Sequence, residues 1–284
     1  MNLLGLKLVS VFGAIAFAAA FAAPAAVAQV TPSATQESAA SNNEAQIRMD
    51  YLTDVQRQTG VDPSQKRAYD KFDKASSDEP DKKIQLGNDF LRKYPKSPFT
   101  EAVDAGLTNA YFEKQDWNDF FSYADKTLAM NPDEVDVLTS VGWVIPHQIN
   151  PGDPGAAQRL NTAEADEKHA LDVLAKMPAP KGLSSEQFAA AKAQKARQAH
   201  SALGLIYFRR GDYANSVNEL QLATQGTNGV DETDVFVLGV DLQQLNRHSE
   251  AASAFARCGQ MPGALQDRCK EKADEEAKLA HGGM

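Results

Sequence analysis

Two stretches decide the fold: RQAHSALGLIYFRRGDYANSVNELQLATQG at residues 197–226 and DVFVLGVDLQQLNRHSEAASAFARCGQMPG at residues 234–263. In both, apolar residues recur at three- and four-residue steps, the period of a helix with one buried face. The first is interrupted by the turn Gly211-Asp212-Tyr213, after which the helical period resumes. Leu203-Gly204 returns as Leu238-Gly239, Ser216 as Ala251 and Leu220 as Phe255, always at the same separation. A recurring helix–turn–helix unit buries its apolar face by stacking on its neighbours, so a period of this length predicts a helical solenoid.

The recurring spacing has a steric meaning. Gly204 and Gly239 allow the first helix of a unit to approach its second closely. Ser216 and Ala251 are the small residues on the facing helix, and Leu220 and Phe255 fill the space one turn further on. The pattern resembles the tetratricopeptide repeat, two antiparallel helices in about 34 residues with the signature W-x2-L-G-x2-Y…A-x3-F…P. His200 and Val235 stand where that signature has its Trp, and Leu242 replaces its Tyr. The resemblance implies an all-α fold, a right-handed α-α superhelix.

Further units precede these two. Leu107 and Tyr111 suit a first helix with Thr108 in the glycine place, Trp117 in the place of the turn aromatic, and Asn131-Pro132 as the stop. Phe120 occupies the small-residue place. Gly142, preceded by Val141, lies one repeat length beyond Thr108. Upstream, Lys66–Ala75 and Asp81–Tyr94 read as another helix pair, with Leu86 and Phe90 in phase and Pro98 one repeat length before Pro132. This reading counts four units, two close to the signature and two degenerate, over residues 64–263.

The period is broken once. Gly142 and Gly204 are separated by nearly two repeat lengths rather than one. The excess is assigned to an insertion at 145–184 in the third unit. Ile145-Pro146 to Asp153-Pro154-Gly155 reads as a Pro/Gly-rich loop, followed by a helix from Ala156 to Met177. After Pro178-Ala179-Pro180, Ser184 with Gln187 has capping-box spacing. The helix it opens runs from Ser185 to Arg210, too long for one repeat unit. Its N-terminal half is expected to project or to lie on the inserted loop.

The ends read differently. Met1–Lys7 carries one positive charge, Leu8–Ala23 is apolar or small except Ser10, and Ala26-Val27-Ala28 is a small-x-small ending. That is the layout of a secretory signal peptide cleaved after Ala28. An uncleaved anchor is the alternative, but the apolar run is short of the roughly 20 residues that span a bilayer. No other segment is long enough, so no stable span is expected once the signal is removed. Residues 29–63 are rich in Ser, Thr, Ala, Gln and Asn at their start and read as a flexible tether with room for a short helix. Residues 264–284 read as a capping helix and tail, with Leu265, Cys269, Ala273 and Ala277 on one stripe over the open end of the stack. The chain of 284 residues has a net charge of −9, which argues against nucleic acid as a partner.

Cys258 and Cys269 are the only cysteines. In an oxidising compartment an even pair reads as a disulfide; two free thiols are the alternative, and Cys-x-x-Cys redox spacing is absent. His147, His169, His200, His248 and His281 form no H-E-x-x-H or other close ligand pair, so no metal is expected. Walker, G-x-S-x-G and G-x-G-x-x-G motifs are missing, and no cofactor or catalytic residue is expected. Asp231-Glu232-x-Asp234 lacks the ligand spacing of a calcium loop and reads as a helix start whose dipole favours acids. Lys192, Lys195 and Arg197 read as a solvated helix face.

The resemblance implies a concave surface lined by the first helices, which holds a peptide or partner helix. The positions it assigns are Asn109, Phe112, Thr139, Trp143, Ser201, Leu205, Phe208, Phe236, Val240 and Gln243. The expected function is a non-enzymatic protein-interaction scaffold in the periplasm or outside the cell. The alternatives are a stabilising subunit of an exported enzyme or transporter, and an enzyme with a site in the inserted region.

Overall fold

A computed structural model describes residues 62–150, 152–179, 184–226 and 229–282. The expected signal peptide and nearly all of the expected tether lie outside the described residues. Eleven helices follow one another among the described residues: α1 Pro63–Asp73, α2 Pro80–Lys93, α3 Thr100–Lys114, α4 Trp117–Met130, α5 Val135–Gln148, α6 Ala156–Lys176, α7 Ser185–Arg209, α8 Tyr213–Ala223, α9 Glu232–Gln244, α10 His248–Cys258 and α11 Gln266–Gly282. They are paired as α1/α2, α3/α4, α5/α6, α7/α8 and α9/α10, with α11 laid on α10. The sequence points to a helix pair at each of these five places, so a count of four units is one short of the pairs it locates.

The repeat contacts are those the spacing predicted. A Cβ on Gly204 would lie 2.5 Å from Leu220 Cγ, and one on Gly239 would lie 2.6 Å from Phe255 Cε1. Leu220 and Phe255 are wholly buried, each contributing about 1.5–3 kcal/mol by removal from water. In the second unit the sizes are exchanged: Thr108 fills the glycine place and Ala124 the Leu220 place, and both are buried. Upstream, Phe72 wedges against Gly87 and Gly106, two close approaches that fall outside the repeat phase.

The hairpin turns share one device. Gln115, Gly211 and Asn246 take left-handed backbone at φ 57, 74 and 57°. The first two precede Asp116 and Asp212, whose side chains cap α4 and α8. Trp117 and Tyr213 follow as the first helical residues, so the aromatic place is equivalent in both units.

The insertion resolves differently from the expectation. α5 continues through Pro146 to Gln148, so only residues 149–155 form the connection. α6 is a second helix of 21 residues whose Glu167, not the residue at repeat spacing, is the side chain over Gly142. α7 has the capping box of Ser184 and Gln187. At its start, residues 185–190 are exposed except for Phe188, and the helix settles on its neighbours further along. It lies along α5 and α6, where Ala196 joins Val135, Leu138, Ala170 and Leu174, and Lys195 pairs with Asp136 at 2.9 Å.

At the C-terminus, Cys258 and Cys269 are joined in a disulfide with Cα atoms 5.6 Å apart, fastening α11 to α10. Glu232 of α9 reaches the start of α11 and accepts from the Leu265 N–H at 3.1 Å. His248 meets the buried Glu276 at 2.7 Å. Closing so short a loop contributes about 3 kcal/mol in the chain-entropy model. Reduction is expected to loosen α11 and lower Tm by several degrees, which calorimetry with and without dithiothreitol measures. An unchanged scan would show that packing alone holds the cap.

Candidate functional site: the face of the first helices

Helices α3, α5, α7 and α9 lie side by side, and α5 and α7 run parallel, since Lys195 meets Asp136 and, further along both, Arg209 meets Pro146. Their registry is fixed by polar contacts: Lys195 to Asp136 between α7 and α5, and Ser201 Oγ to Asp234 Oδ1 at 2.8 Å between α7 and α9. Residues one turn apart on these helices therefore form rows across the stack.

Seven of the expected face residues are half-buried: Asn109, Phe112, Trp143, Ser201, Phe208, Val240 and Gln243. Three are not on an open face. Thr139 (4 % exposed) turns its hydroxyl back to the Val135 carbonyl, and Leu205 (5 %) and Phe236 (3 %) belong to the core. Adjacent first helices sit so close that side chains pointing toward the neighbour are covered. Phe236 is covered further by Phe255 and by Arg268 of α11, whose guanidinium lies 5.0 Å from its ring centre. Ser201 is half-buried but engaged with Asp234, so it is a strut between helices.

Of the rest, Phe112 and Trp143 join an aromatic shelf at the C-terminal ends of α3 and α5, while Phe208 lies against Tyr213. The Phe112 and Trp143 rings are 5.7 Å apart, Phe112 and Trp117 6.0 Å, and His147 stacks on Trp143 at 3.9 Å. Burial lowers the pKa of His147, outweighing its 2.6 Å contact with the Trp143 carbonyl. Arg209, at the end of α7, donates its Nε–H to the Pro146 carbonyl at 3.0 Å, one turn beyond Trp143 on α5.

Several groups that matter here lie off the expected set. The sequence presents His147 only as a possible metal ligand, and Arg209 as one more residue of a long helix. Their partners are 4 and 63 residues away, and the second separation has no local sequence signal. Glu167 does have one. It interrupts the apolar stripe Leu160, Ala163, Ala170, Leu174 of α6 and is fully buried, with neither carboxylate oxygen hydrogen-bonded among the described residues. Burial raises its pKa well above the ordinary carboxyl value. Glu164, one turn earlier, is the opposite case. Burial disfavours its charge, but Lys168, Arg210 and Tyr207 donate to it and bring its pKa to about 2.

Among the described residues no group of three His, Cys, Asp or Glu is placed to hold a metal ion. No helix among them is long and apolar enough to cross a membrane.

No family model and no curated protein matches the sequence. Among solved structures the chain is similar to a thermophilic TPR protein of Thermus thermophilus, at 16% identity and a TM-score of 0.42, over 72% of this chain and 88% of that one. The paired helices, their repeat spacing and their shared turns carry the assignment by themselves. The described residues fold as a stack of paired helices of the tetratricopeptide-like kind, with no strand among them.

Proposed function

We propose that the chain is a non-enzymatic scaffold, exported to the periplasm or beyond, that holds a peptide or helix of a partner protein on the face of α3, α5, α7 and α9. The observation that carries this reading is the shelf of Phe112, Trp143 and His147. It is a half-buried aromatic surface at the ends of α3 and α5, and Val240 and Gln243 are half-buried on α9 of the same row of first helices. A surface of this kind suits helix-in-groove or extended-peptide capture, in which a few aromatic anchors carry most of the affinity. Export is supported by the signal-like residues 1–28 and by the pairing of the only two cysteines.

In-cell photo-crosslinking tests the reading. A probe at Trp143 or Gln243 is expected to give one discrete adduct with a second protein. A probe at Asn218, exposed on α8, is expected to give none. Adducts from Asn218 alone would move the partner to the second helices and defeat the assignment of this face.

A further inference from the structure

Arg209 is half-buried, and desolvation lowers its pKa, yet as a guanidinium it keeps its charge. Its Nε is taken by the Pro146 carbonyl. Among the described residues its two Nη groups have no hydrogen-bond or ion-pair partner. The next residue shows the contrast: Arg210 is engaged by both Glu164 and Asn161. The chain has 38 acidic residues against 29 Lys and Arg, so a partly desolvated cation left without an acid is not explained by scarcity. A half-buried charge is costly unless paired. Here the unpaired donors lie beside an aromatic surface; burial holds His147 toward its neutral form, the Arg209 charge acts the same way, and Asp231 is near enough to oppose them without pairing with Arg209.

The fork of a guanidinium matches a carboxylate through two parallel hydrogen bonds. α7, which carries Arg209, lies between α5 and α9 in the stack; Phe112 and Trp143 are on the α3 and α5 side of it and Val240 and Gln243 belong to α9. A partner that covers both sides has chain running past Arg209 in both directions. The carboxylate that reaches it is then a side chain within the segment rather than a chain end.

Resting on the docking reading above, we propose that Arg209 and the shelf of Phe112, Trp143 and His147 recognise an internal acidic residue of a partner segment, flanked by an apolar residue that lies on the rings. The guanidinium supplies selectivity and the rings supply contact area.

The test is a display selection on the intact chain, using random 16-residue peptides held at both ends within a carrier protein. Parallel selections use Arg209→Glu and Arg209→Gln, whose glutamine amide can still donate to Pro146; both are checked for unchanged thermal unfolding. The expected result is enrichment of Asp or Glu beside a Leu, Phe or Trp. A selected peptide should bind Arg209→Gln at least tenfold more weakly, and Arg209→Glu should select Lys or Arg at that position. Apolar peptides without an acid, lost on Trp143→Ala but indifferent to Arg209, would overturn this proposal and leave the docking face standing. Binding that requires a free peptide C-terminus, in a matched selection with open ends, would overturn it in favour of terminal-carboxylate capture. Peptides selected equally well by wild type, Trp143→Ala and Arg209→Gln would overturn both readings.

Discussion

Replacing Gly204 with leucine is expected to destabilise the protein by at least about 3 kcal/mol, at the upper end of overpacking in a core. Even the first added carbon would lie 2.5 Å from Leu220 Cγ, and Leu220 has no room to retreat because it is itself wholly buried. For a chain of this size that corresponds to a fall in Tm of roughly 10 °C. Gly204→Ala should show a smaller loss, and adding Leu220→Ala should recover part of it. The second unit already uses such an exchange, with Thr108 and Ala124 in the equivalent places. The coupling is read by a double-mutant cycle. A Gly204→Leu variant that unfolds with the wild type would refute the helix pairing.

The second large effect is on pH. Burial pushes the carboxyl groups of Asp234 and Asp241 up to about 7 and those of Asp104 and Asp166 up to about 6. These groups bind protons more tightly in the folded state than in the unfolded one, where their pKa is 3.8. Their contribution is thus fully present below about pH 4, is lost as pH rises toward 7, and stays lost above it. A tenfold change in proton affinity corresponds to about 1.4 kcal/mol. His147 opposes them: its folded pKa is depressed below 6.5, so its contribution is present above 6.5 and falls away in acid. One group is outweighed by four, and Glu164 acts only below 4.5. Stability should fall by several kcal/mol between pH 5 and pH 8, measured by urea denaturation. Asp241 has a single polar contact, the Ser216 hydroxyl, and its Oδ1 has none among the described residues. Asp241→Asn is therefore expected to flatten the profile. A profile that rises from pH 5 to 8 would contradict the account.

The fold was legible where steric rules repeat. Gly204 against Leu220 and Gly239 against Phe255 follow from spacing alone, because a helix pair at that separation leaves no space for both side chains. The register failed in the third unit for a physical reason. The connection at 149–155 slides α6, and Glu167 takes the position over Gly142 that an apolar residue fills elsewhere. Pro146 misled as well: α5 runs through it and on for two residues, forgoing the one hydrogen bond its missing N–H would have made. Exposure on the first helices was legible in part. Phe112, Trp143, Phe208, Val240 and Gln243 keep partial exposure at their repeat positions, but burial of Thr139, Leu205 and Phe236 depends on how closely neighbouring units approach, and no single unit encodes that. Arg209 and the strut of Ser201 to Asp234 join helices distant in sequence, where spacing carries no signal.

Amide hydrogen exchange on the crosslink-identified complex, against the free protein, tests the central claim most directly. Added protection is expected over the C-terminal turns of α3, α5, α7 and α9, around Phe112, Trp143 to His147, Phe208 to Arg209 and Val240 to Gln243, with none over the exposed face of α8. Protection confined to the second helices, or to α11, would place the partner elsewhere and contradict the assignment of the first-helix face as the binding surface.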